Sequence, residues 1–167
     1  MKKMTKNNLQ DAFAGESQAH MKYRAFSEKA EKENLPNIAR LFRANAFAEV
    51  IHATNHLRKL DGIKSTAENV AAAIEGETFE VEEMYPAYIT VAQMQGEKGA
   101  ETSASWAMAA EKVHAGLYKK ARVSLQDGED VVFKPIQVCQ GCGWTQEGEA
   151  PDPCPVCGAP KSMFKEF

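Results

Sequence analysis

Two short words of this 167-residue chain share one pattern. "EVIH" (49–52) and "EKVH" (111–114) each set a glutamate three residues before a histidine. On a helix that spacing puts both side chains on one face. Each word has a glutamate upstream: Glu16 precedes Glu49 by 33 residues, and Glu77 precedes Glu111 by 34. Farther along, "CQGCGW" (139–144) and "CPVCGAP" (154–160) hold all four cysteines as two Cys-x-x-Cys-Gly turns. Carboxylates and imidazoles in matched sets suit a pair of divalent or trivalent cations. Two facing cysteine turns suit one tetrahedral metal.

The elements that must position these residues read as helices over the first 126 positions. Residues 5–32 carry a stripe of Leu9, Phe13, Glu16, His20, Tyr23 and Ala30, with Thr5 as the expected N-cap. "ENLP" (33–36) ends that helix, and Pro36 suits the first turn of the next. The second helix runs to about Asp61, with Gly62 placed to follow its end. "STAE" (65–68) offers a capping box, Ser65 with Glu68, at the start of a third segment reaching Gly96. Pro86 falls inside that segment and predicts a kink or break, because it has no N–H for the carbonyl four residues earlier. A fourth helix covers residues 99–126, and "DGED" (127–130) stops it. Residues 131–167 then change character, with all the cysteines and five of the seven prolines. The expected organisation is mainly α: a four-helix bundle over 1–130 and a small four-cysteine domain over 131–167.

Composition narrows the function classes. Apolar residues make up 44% and charged residues 26%, an ordinary globular balance. The net charge of −3 comes with no basic patch, which argues against nucleic acid. No segment has the apolar length of a membrane span, and "MKKMTKNNLQDAF" lacks the apolar core of a signal peptide. The expected setting is a soluble, reducing cytoplasm, where two disulfides are disfavoured.

A single Glu-x-x-His is most often a solvated helix face, since unpaired glutamate is rarely buried. Here four glutamates interrupt otherwise apolar stripes, and the two halves read as a degenerate internal repeat. Buried carboxylates without partners would take up protons or unfold the bundle, and cations remove that difficulty. One Glu from each of two helices and a Glu-x-x-His from each of the others is the four-helix di-iron arrangement. Glu80 sits one turn beyond Glu77. It reads equally as an extra ligand or as part of the exposed acidic run "EVEE" (80–83). The four thiolates accept zinc, as a structural ribbon, or iron, as a one-electron relay, and a redox-capable partner site favours iron.

"GESQA" around Glu16, "EVIH", "GETFEVEEMYP" (76–86), "EKVH" and the two cysteine pairs together resemble the rubrerythrin family, over nearly the whole chain. That resemblance implies a ferritin-like di-iron bundle followed by a rubredoxin-like domain. It implies that Glu49 and Glu111 bridge two irons, that Glu16 and Glu77 each cap one, and that His114 is a permanent ligand. Glu80 is implied as a ligand of the oxidised state, with His52 replacing it on reduction. The first-helix position equivalent to Glu80 is Ala19, which cannot ligate. Tyr23 and Tyr85 match tyrosines that hydrogen-bond ligand carboxylates. Cys139, Cys142, Cys154 and Cys157 would hold a third iron, with zinc as the alternative. His20, one turn after Glu16, reads as a core or supporting residue.

The implied activity is reduction of hydrogen peroxide to water in oxidative-stress defence. Electrons would come through the tetrathiolate iron from a rubredoxin or an NAD(P)H-dependent reductase. A homodimer or higher homo-oligomer is the expected assembly. The competing readings are a ferroxidase or iron-handling protein, and a non-enzymatic zinc-ribbon scaffold.

Overall fold

Helical periodicity becomes a hairpin in the first of two units of the computed structural model, which describes all of residues 1–167. This unit, Met1–Lys64, holds α1 (Lys3–Lys32) and α2 (Pro36–Lys59). Pro36 opens α2 as its first helical residue, where a missing N–H costs nothing. Ala39, Ala46 and Ala53 are buried and recur every seven residues. Small side chains at that spacing let the two helices approach closely along one seam. The seam is tied by polar contacts that only small residues permit. Ser27 is buried and donates its hydroxyl to the Ala39 carbonyl at 3.1 Å. His20 Nδ1 meets the Ala46 carbonyl at 2.8 Å, which ties His20 into the seam, and it lies outside the close Glu16/Glu49/His52 group.

The ends of these helices differ from expectation in detail. α1 begins at Lys3, with Lys2 at the cap position and no side-chain cap, so Thr5 lies inside the helix. After α2 the left-handed residue is Asp61 (φ 57°), not Gly62. Gly62 is needed for a different reason. Its N–H reaches the Leu57 carbonyl at 2.9 Å, and a Cβ there would lie 2.4 Å from Leu57 Cδ1.

The second unit, Ser65–Phe167, contains three helices and the small sheet. Ser65 caps α3 (Thr66–Phe79) with a complete capping box to Glu68. The break expected near Pro86 takes the form of a π-helical turn, Glu80–Met84, followed by α4 (Tyr85–Gln95). Pro86 cannot supply the next amide, so the helix widens one turn earlier: the Tyr85 N–H reaches back to the Glu80 carbonyl. Gly96, at φ 72°, closes α4 in the left-handed conformation. α5 (Lys98–Gln126) packs against both α3 and α4 and buries Ala110, Ala115 and Ala121.

Beyond α5, three short strands form an antiparallel sheet in the order β2-β1-β3: β1 (Ile136–Cys139), β2 (Thr145–Glu147) and β3 (Phe164–Glu166). This sheet belongs to the same unit as α3–α5, although composition changes sharply near residue 130. The strand β2 accounts for that, because Thr145 and Glu147, two apart on one strand face, both bond α5. Thr145 meets His114 and Glu147 pairs with Lys120, whose Nζ lies 2.8 Å from both carboxylate oxygens. No helix is long and apolar enough to cross a membrane.

Candidate metal centres

In the first unit, Glu16 on α1 meets Glu49 and His52 on α2. Their ligand atoms lie within 4.8 Å of one another. His52 Nδ1 is 3.0 Å from Glu49 Oε2 and 4.0 Å from Glu16 Oε1. Glu16 and Glu49 lie side by side and perturb each other. The neighbouring Glu49 raises the Glu16 pKa, and Glu16 together with His52 lowers that of Glu49. His52 is the most open of the three, with 54% of its side chain exposed against 16% for Glu49.

The second unit repeats the arrangement with Glu77 from α3 and Glu111 and His114 from α5, again within 4.8 Å. His114 Nδ1 sits 2.6 Å from Glu111 Oε2 and 3.8 Å from Glu77 Oε2. Burial is greater here and its electrical consequence is larger. Glu77 is pushed up to about 7, by burial first and then by its hydrogen bond to Glu111 and the charges of Glu111 and Glu80. Its Oε2 is buried without any hydrogen-bond partner. A native protein rarely leaves a carboxylate oxygen so placed, and a cation bound between Glu77, Glu111 and His114 would satisfy it.

Glu80 opens the π-helical turn beside this triplet. Burial raises its pKa, the Glu111 charge adds to that, and His114 opposes it. It faces the cluster without belonging to the close triplet. Tyr85, at the end of the same turn, has its hydroxyl pKa raised by burial and by the charges of Glu80, Glu111 and Glu77. Tyr23 packs its ring against Phe26 and Phe42, with centroids 6.3 and 6.0 Å away.

The four cysteines converge at the edge of the small sheet, with Cys139 and Cys154 buried. Cys139 Sγ lies 3.6 Å from Cys157 Sγ, and Cys142 Sγ lies 3.7 Å from Cys154 Sγ. Disulfides would be near ~2.05 Å. Four sulfurs at about 2.3 Å from a central tetrahedral ion would be separated by about 3.8 Å, close to what is found. Each turn is closed by the glycine after its second cysteine, at φ 81° for Gly143 and 75° for Gly158. Their amides return to the Cys139 and Cys154 carbonyls at 2.8 and 2.9 Å. Burial raises the Cys154 pKa, but the backbone N–H groups of Cys157 and Val156, together with the Cys157 and Cys142 thiols, bring it down to about 7. Burial instead carries Cys142 up to about 12, against the opposing amide of Trp144.

One residue of this region was not legible as functional. Thr145 is buried, and its hydroxyl lies 2.8 Å from His114 Nε2 and 3.1 Å from the Gly143 carbonyl. Nothing in a threonine after "CGW" announces a contact with a histidine 31 residues earlier.

Residues 7–122 match the rubrerythrin family model, and residues 137–165 match the model for the rubredoxin-like domain of rubrerythrin. Rubrerythrin-2 of Clostridium acetobutylicum is 39% identical, over 98% of this chain and 97% of that protein. Nigerythrin of Nitratidesulfovibrio vulgaris is 34% identical, over 98% of this chain and 86% of that protein. A fully reduced, all-ferrous nigerythrin structure aligns with a TM-score of 0.55, covering 98% of this chain and 86% of that one. The chain therefore belongs to the rubrerythrin family, as an oxidoreductase-type iron protein whose Glu/His triplets serve two irons and whose four cysteines serve a third iron or a zinc.

Proposed function

We propose that this protein is a non-haem di-iron peroxidase that reduces hydrogen peroxide to two waters, taking up two electrons and two protons per turnover. The observation that carries the reading is the paired Glu/His triplet, with Glu77 Oε2 buried and unpartnered in one of them. A storage protein needs such carboxylates too. The four-cysteine cluster in the same chain favours a catalyst resupplied with electrons. When bound, iron supplies Lewis acidity and the electrons that cleave the O–O bond.

The chain's own residues then have distinct tasks. Glu16, Glu49 and His52 would hold one iron, and Glu77, Glu111 and His114 the other. The low exposure of Glu49 and Glu111, 16% and 17%, suits ligands that would stay fixed. His52, half exposed, suits a ligand that comes and goes. Glu80 starts a π-helical turn, where backbone hydrogen bonding is looser than in an α-helix, and such turns recur at functional sites. An anionic oxygen ligand favours ferric iron, and a neutral nitrogen favours ferrous. Tyr85 keeps its proton in the negative field of the cluster and so can donate a hydrogen bond to a carboxylate. The cysteine cluster would pass electrons from a rubredoxin or an NAD(P)H-dependent reductase, in a cytoplasmic homodimer or larger homo-oligomer.

Stopped-flow oxidation of the fully reduced protein tests this. Peroxide is expected to oxidise the helical irons far faster than air-saturated buffer does. Faster oxidation by oxygen, with iron mineral accumulating, would instead establish a ferroxidase.

A further inference from the structure

His114 is held on both ring nitrogens, and His52 is not. Its Nδ1 faces Glu111 and Glu77, while Nε2 faces the Thr145 hydroxyl at 2.8 Å. Thr145 is buried, with 4% exposure, so water does not compete for it. Its hydroxyl has one proton and two neighbours. The Gly143 carbonyl, 3.1 Å away, can only accept. Both contacts are satisfied in one way alone: Thr145 donates to Gly143, and His114 Nε2–H donates to Thr145. With the Nε2 proton turned to Thr145, Nδ1, 2.6 Å from Glu111 Oε2, is the nitrogen left to a metal, which takes the place of any proton shared between them. This is the state a metal needs, and a histidine ligand commonly has its far N–H fixed by such a partner.

We infer that Thr145 is a positioning residue that locks His114 into its Nδ1-ligating tautomer and ties the Cys142–Gly143 turn to the second Glu/His triplet. The inference rests on the metal reading of that triplet. Its mechanical basis is local. Thr145 and Glu147 share the strand face bonded to α5, and the Lys120–Glu147 pair secures the same strand one residue pair farther on. Gly143 directly follows Cys142 and bonds the Cys139 carbonyl at 2.8 Å, so the turn that holds two sulfurs also holds the acceptor for Thr145. A metal at the four cysteines stiffens that turn and thereby the threonine. By linkage, a metal at one cluster favours retention at the other.

The test uses the full chain loaded with zinc, which is diamagnetic, and long-range proton–nitrogen spectra of its histidines. Wild type is expected to show a slowly exchanging Nε2–H on His114. Thr145→Ser keeps the hydroxyl and should keep that signal. Thr145→Val should lose its protection and weaken zinc at the second triplet about 10- to 100-fold, with the cysteine site still loaded. A wild-type ring protonated on Nδ1 overturns the inference without any variant, as does Thr145→Ser behaving like Thr145→Val. Retained protection and affinity within twofold in Thr145→Val overturn it as well. Failure of wild type to bind zinc at either triplet would count against the metal reading instead, and the tautomer would still be read.

Discussion

Replacing Glu77 with glutamine isolates the cost of holding a carboxylate in the second triplet without its metal. In the metal-free chain this group is raised from 4.5 to about 7, chiefly by burial. A rise of that size corresponds to about 3 kcal/mol. This is an upper figure, because 19% of the side chain remains exposed and water screens it. The folded pKa lies above the unfolded one, so the native state holds the proton more tightly. That stabilisation is fully present below about 4.5 and is lost as the pH rises through about 7. Glu77→Gln keeps the neutral shape and cannot ionise. Between about pH 5 and pH 8, metal-free wild type is expected to lose about 1–2.5 kcal/mol more stability than the variant. Urea unfolding followed by circular dichroism, with chelator present, reads the difference at each pH. Parallel losses in the two proteins would refute the claim that Glu77 is held neutral by burial. The same proton must leave when a metal binds, so uptake at this triplet should weaken below about pH 7 in wild type.

Ser65→Ala removes the capping box of α3 and is expected to cost about 1 kcal/mol in denaturant unfolding, with no change in metal content. Cys154→Ser should abolish the visible ferric-thiolate absorption of the iron-loaded protein while the helical irons remain, the one at the second triplet held less tightly. Loss of all three metals would show that the small sheet is needed to fold α3–α5. Glu80→Ala is expected to slow peroxide turnover and alter the ferrous-to-ferric spectral change. Unchanged values for both would remove Glu80 from the redox exchange with His52.

The candidate ligand clusters were legible because metal chemistry constrains residue type and spacing together. Glu49/His52 and Glu111/His114 repeat on helical faces, and the two cysteine turns carry their closing glycines with them. The break at Pro86 was also legible, since a missing amide must show itself somewhere. Its π-helical form was not, because the choice between a kink and a widened turn depends on packing against α5. Asp61 in place of Gly62 as the left-handed residue has the same cause. The sequence shows which residues tolerate a turn, while contact with Leu57 decides which position needs the missing Cβ. Thr145 was hidden because its role comes from docking a strand on a helix, and no local pattern records that. His20 is ambiguous in the sequence because its partner is a backbone carbonyl 26 residues away, that of Ala46.

If the proposed function holds, each Glu/His triplet holds iron, alongside a chemically different third metal at the cysteines. Mössbauer spectroscopy of natively purified protein, combined with metal analysis, tests it most directly. Two high-spin irons in oxygen and nitrogen surroundings are expected for each chain, with one tetrathiolate iron or zinc. Iron confined to the cysteines, with the Glu/His triplets empty or holding zinc, would contradict it.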